Sequence, residues 1–194
     1  MVGIKESESP KAVLEFWFQE LLPQDWFKKS EALDQAINKR FNKVLKACAA
    51  GECWEWRRPD AAGPGTDGLG RLAEILVLDQ FSRNIYRDDA RAFAQDPLAL
   101  GLAQEAVAGG VDKSMNASQR AFLYMPYMHS ESLLVHDEAM RLFNQPGLET
   151  NYEFEIKHRE ILERFGRYPH RNKALGRAST PAELEFLSQP GSSF

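Results

Sequence analysis

Residues 30–51 read SEALDQAINKRFNKVLKACAAG, and this stretch decides the fold. Its apolar residues Leu33, Ile37, Phe41, Val44, Leu45 and Cys48 recur three and four apart, the spacing of one α-helical face. Ser30 supplies a cap at the start and Gly51 a stop at the end. The same grammar recurs on both sides. Ser9-Pro10 sets a cap and an N1 proline before Val13, Leu14, Trp17, Phe18 and Leu21. Asp96-Pro97 opens a helix that stops at Gly109-Gly110. Asn116 with Gln119, Thr150 with Glu153, and Thr180 with Glu183 have the spacing of capping boxes, the last with Pro181 at N1.

Composition points the same way. Val, Ile and Thr, which favour strands, number seven, six and three in 194 residues. The helix formers Ala, Leu and Glu number 22, 21 and 18. The expected fold is all-α, with about eight helices and short connections. Residues 57–70, RRPDAAGPGTDGLG, hold two Pro and four Gly and read as a flexible surface loop. The 56 residues before it would make a thin core alone, so one domain over residues 1–194 is expected. No period of 20–50 residues repeats, and the tetratricopeptide consensus is absent.

Other counts bound the function. No apolar run approaches the roughly 18 residues of a membrane helix, so no membrane partner is expected. Residues 1–10 carry one Lys, two Glu and no apolar core of a secretory leader. Cys48 and Cys53 are too few for a disulfide framework or a four-cysteine zinc site, so the chain reads as cytoplasmic. A net charge of −4 argues against nucleic acid as a partner. The counts leave the oligomeric state open.

Polar residues enter apolar faces at four places. In residues 69–86, LGRLAEILVLDQFSRNIY, the stripe Leu69, Leu72, Ala73, Leu76 continues into Asp79, Gln80, Arg83 and Asn84. Asp79 and Arg83 are i,i+4 neighbours, as are Gln80 and Asn84. In residues 151–165, His158 falls among the apolar Phe154, Ile161 and Phe165. In residues 125–131, MPYMHSE, Pro126 is expected to bend or restart the chain, with His129 and Glu131 at the break and Ser130 as the next cap. The last cluster is FGRYPHRNKALGR, with His170, Arg171 and Asn172. Residues 157–177 contain seven Lys or Arg and two Glu, a local +5 that leaves −9 for the rest. Such a segment suits a small anion or an acidic face of the same protein.

LDQFSRNIYR at 78–87, MHSE at 128–131 and HREILERFGRYPHRNKALGR at 158–177 resemble a bacterial family, domain of unknown function 924. The resemblance runs from VLEFWF at 13–18 to FLSQPGSSF at 186–194. It implies a right-handed, tetratricopeptide-like α-α superhelix, and it implies no reaction. Ser82 stands where the family pattern usually has Pro, and His136 where Gln is more usual, so His136 is left out of the expected site.

No HExxH, Walker A loop or GxSxG is present, so no cofactor is expected. His129, Glu131, His158 and His170 could supply metal ligands, but no two share a tight helical spacing, and no metal is expected. The expected function is binding of a small, anionic ligand in a polar pocket lined by Asp79, Gln80, Arg83, Asn84, His129, Glu131, His158, His170, Arg171 and Asn172. Arg83 and Arg171 would hold the anion by bidentate bonds, with Asp79 orienting Arg83. The alternatives are a hydrolase and a protein-interaction scaffold. A hydrolase would use His158 or His129 as base, with Glu131 or Asp79 as its orienter. A scaffold would scatter the polar clusters along a broad groove.

Overall fold

A computed structural model describes residues 8–192. The leader reading for residues 1–10 and the end of the terminal motif at 193–194 therefore fall wholly or partly outside the described residues. Helix α1 (Pro10–Glu15) runs into a π-helical turn, Phe16–Glu20. After it come α2 (Glu31–Ala49), α3 (Leu69–Leu76), α4 (Ser82–Ile85), α5 (Asp96–Ala108) and α6 (Ala117–Met128). Helices α7 (Leu133–Phe143), α8 (Glu149–Phe165) and α9 (Pro181–Leu187) complete the order. A second π turn, Val77–Phe81, joins α3 to α4 into one continuous helix, so the described chain is all-α with eight helices. Successive packing of α5 on α6, α6 on α7 and α7 on α8 is compatible with a superhelix.

The caps act where the sequence puts them, with exceptions. Ser9 and Ser30 accept from the amides of Ala12 and Leu33. The boxes at Asn116/Gln119 and Thr180/Glu183 are both closed. The Thr150/Glu153 box does not form. Helix α8 begins two residues earlier than that box would place it, at Glu149, whose carboxylate bonds the Gly147 amide, and Thr150 is already inside the helix. Pro126 does not restart the chain either. It lies within α6, which continues to Met128, and α7 is entered from Ser132 rather than Ser130.

The continuous helix at residues 69–85 is the axis of the fold. A one-sided stripe is expected, but Leu72, Ile75, Leu76, Val77, Leu78 and Phe81 are all fully buried, as is Glu74. Helices α1, α5 and α6 pack on its first half, while α2 packs on its π turn and on α4. That enclosure is why the polar residues at its end stay inside. The loop before it is anchored at both ends. Arg57 forks onto buried Glu74 at 2.8 Å in each bond. At the other end a Cβ on Gly70 would collide with the Trp56 carbonyl, so the approach requires glycine.

Two aromatic residues of the first helix are core. Phe16 and Trp17 are buried against Phe41, Phe81 and Phe122, whereas Phe27 is 65 % exposed and stacks on Phe122. Cys48 and Cys53 form a disulfide across the end of α2. Among the described residues, no helix is long and apolar enough to cross a membrane.

Candidate functional site

The second π turn carries Asp79 and Gln80, and such turns recur at functional sites. Asp79 is 1 % exposed and is surrounded by donors. His129 Nδ1 lies 2.7 Å from Oδ1, Gln80 Nε2 donates to Oδ2 at 2.6 Å, and Arg83 Nη1 lies 3.3 Å from Oδ1. Burial works to protonate this carboxyl. The charge of Arg83 and the hydrogen bonds from His129 and Gln80 outweigh it and hold the pKa well below the usual carboxylate range. An ionised Asp79 only accepts, so His129 Nδ1 carries the proton and Nε2 keeps the lone pair. His129 sits at the C-cap of α6 with its side chain 15 % exposed. Burial, then the positive charge of Arg83, pushes its pKa below the ordinary histidine value, and the ring is neutral at pH 7.

Arg83 reaches beyond its own helix. Its guanidinium donates to the Asp79 carbonyl at 2.7 Å and forks onto Asp96, with two bonds of 2.9 Å. Arg171 comes to the same carboxylate from the Pro169–Arg171 turn. Its Nη1 bonds Asp96 Oδ2 at 3.2 Å and its Nη2 the His129 carbonyl at 2.9 Å. Arg171 Nε is buried with no acceptor among the described residues. Burial, then the like charge of Arg83, lowers the Arg171 pKa.

The ring of Tyr168 is the floor under this junction. Arg171 lies over its face at 4.6 Å, and His158 and His170 flank it at 5.6 and 5.5 Å. Burial pushes each of these two histidines down to about 3, so both are neutral at pH 7. His158 Nδ1 bonds the Phe154 carbonyl at 2.7 Å. The Tyr168 amide donates to Glu131 at 2.8 Å, and Glu131 is also forked by Arg177. The Tyr168 hydroxyl donates to the Met128 carbonyl at 2.6 Å and lies 3.1 Å from His136 Nε2.

Of the ten sequence-selected residues, Asp79, Gln80, Arg83, His129 and Arg171 form one connected network. His158, His170 and Glu131 border it through Tyr168. Asn84 does not join. It pairs with Asp34 on α2 at 2.8 Å, and Gln80 bonds Asp79 rather than Asn84. Asn172 serves its own turn, bonding Ser179 and Arg177. The fork of Arg83 is occupied by Asp96 in this structure. The basic segment is largely neutralised by the protein: Arg159 pairs with Asp137, Arg167 with Glu183, and Arg177 with Glu131. The buried face of α8 is Glu155, His158, Ile161 and Leu162, with Phe154 43 % exposed instead of core.

Asp96, Phe93 and Tyr168 join the cluster although their sequence context does not mark them. Asp96 reads as a helix opener, and its partners lie 13 and 75 residues away. The available signal was the donor count of Arg83, which one i,i+4 carboxylate cannot satisfy. His136 lies outside the expected site, yet it is fully buried, 2.5 Å from Glu155 through Nδ1 and 3.0 Å from the Ser130 carbonyl through Nε2.

A family profile described as bacterial protein of unknown function (DUF924) matches residues 13–191. The chain belongs to this family. The DUF924 chain is also similar to a solved structure, a protein of unknown function from Agrobacterium tumefaciens. Identity is 36%, the match covers 92% of this chain and 96% of that one, and the TM-score is 0.82. No curated protein matches the sequence.

Proposed function

We propose that the chain binds a small anionic molecule at the junction of α4, the start of α5, the end of α6 and the Pro169–Arg171 turn. The observation that carries this reading is Arg171 Nε, a charged group's donor buried with no acceptor beside a second guanidinium. Leaving such a donor unmet costs about 1–3 kcal/mol or more, which a ligand oxygen would recover. Asp79 orients His129, whose Nε2 is unclaimed by any described residue and offers the ligand a second polar contact.

The same geometry favours a second reading, a hydrolase in which His129 Nε2 is the general base and Asp79 its orienter. The scaffold reading is weaker, because the polar groups meet at Asp96 instead of scattering along a groove. We further infer a tetratricopeptide-like superhelix for the helix pairs. The low cysteine count supports a cytoplasmic location, whereas the Cys48–Cys53 bridge supports an oxidising compartment, since reducing ones keep thiols unpaired.

The test is thermal melting of the wild type in acetate, phosphate, sulfate and small dicarboxylates against chloride at equal ionic strength. A bound anion at 100 times its Kd stabilises by about 2.7 kcal/mol. Arg171→Lys, which keeps the charge and loses the planar fork, should abolish the response. An equal response in Arg171→Lys, or none in the wild type, contradicts the reading.

A further inference from the structure

Among the described residues, Asp96 is the one carboxylate that both arginines of the junction share. Arg83 takes its two oxygens in a fork, Nη1 to Oδ1 and Nη2 to Oδ2, at 2.9 Å each. Arg171 adds a third bond to Oδ2 at 3.2 Å. Both guanidinium groups also cover the Phe93 ring, at 5.5 and 4.7 Å from its centroid. The seat is built: Arg171 is 6 % exposed, and its Nε has no acceptor even with Asp96 in place. Asp96 itself is 15 % exposed, at the solvent edge of the cluster.

We propose that Asp96 is a built-in occupant of a carboxylate seat, and that the ligand of this site is a small carboxylate that displaces it from between Arg83 and Arg171. The inference rests on the anion-site reading and adds to it the ligand class and an internal competitor. A planar, two-oxygen acceptor matches the guanidinium fork end-on, and the acceptor now held there is a carboxylate. An incoming carboxylate of the same shape takes over those three bonds. The displaced Asp96 is not stranded. It belongs to the first turn of the 13-residue helix α5, where the helix dipole favours negative charge, and side-chain rotation carries it to water. Binding is therefore an exchange of one carboxylate for another, and the intrinsic affinity of the seat is masked by Asp96.

The experiment is chemical rescue. Asp96→Ala empties the seat, and Asp96→Asn keeps its volume while removing the charge. Each is melted with acetate or formate against chloride and sulfate at equal ionic strength, beside the wild type. The expected result is a lowered melting temperature in both variants that acetate restores saturably. Half-saturation should need at least tenfold less acetate than in the wild type, and sulfate should restore less. Acetate that acts no better than chloride in either variant, or no more tightly than in the wild type, overturns the proposal. Stronger rescue by sulfate overturns the carboxylate class. A wild type that responds to anions while the variants gain nothing leaves the site reading intact and removes only Asp96 as its competitor. No anion response in any of the three proteins removes both.

Discussion

Trp17→Ala should destabilise the fold by about 3–5 kcal/mol, the range for truncating a fully buried large aromatic. Trp17 is completely buried, edge-on to Phe122 at 5.3 Å and tilted against Phe81 at 5.6 Å. It therefore fixes the first helix to the central helix and to α6 at once. The surrounding rings are themselves held by other neighbours, so the cavity cannot collapse. Trp17→Phe should cost less than half as much. It keeps a ring in place and removes an indole N–H that is buried with no acceptor. Urea melts check both, and a loss under about 1 kcal/mol for Trp17→Ala would contradict the packing described here.

Arg57→Ala should cost about 3–5 kcal/mol for a different reason. Both Glu74 oxygens accept from Arg57, and Glu74 has no exposed surface, whereas the Arg57 side chain is 28 % exposed. Removing the arginine leaves a carboxylate inside the core. The double variant Arg57→Met with Glu74→Gln removes the stranded charge and should recover most of the loss. Denaturant midpoints of the two variants decide it. If the double variant is as unstable as the single, the cost lies in packing rather than in charge.

These two predictions also mark how far the sequence could be read. Trp17 belongs to a local pattern, since its spacing from Val13, Leu14 and Leu21 announces a buried helix face. The Ser, Asn and Thr caps are equally local, and they act within three residues of themselves. Thr150 does not cap because α8 starts at Glu149 with Leu148 as its N-cap, which puts Thr150 inside the first turn, a choice of start that spacing alone does not rank. Glu74 was invisible. It lies off the apolar stripe of its helix and would be a solvent residue, except that the helix is enclosed on every side. The site shows the same divide. Asp79, Arg83 and His129 stood out as polar residues on inward faces or at a helix end. Asp96 did not, because its role exists only once α5 brings it beside Arg83 and the Pro169–Arg171 turn adds a second cation. Tyr168 looks like one aromatic in a basic stretch until the fold lays Arg171, His158 and His170 around its ring. His136 shows the opposite error. A departure from the family pattern removed it, although the fold gives it Glu155 and the Ser130 carbonyl as partners.

The central claim is that Asp79, Arg83, His129 and Arg171 form one ligand site in which His129 is neutral, protonated on Nδ1, with Nε2 open. The most direct measurement is long-range 1H–15N NMR of histidine-labelled protein at pH 7 during titration with acetate. The account predicts that the Nδ1–H tautomer is observed for His129 and that its Nε2 resonance moves saturably with acetate. The resonances of His136, held through both ring nitrogens in the core, should stay fixed. A His129 that is an imidazolium or carries its proton on Nε2, or four histidines whose shifts merely track ionic strength, would contradict it.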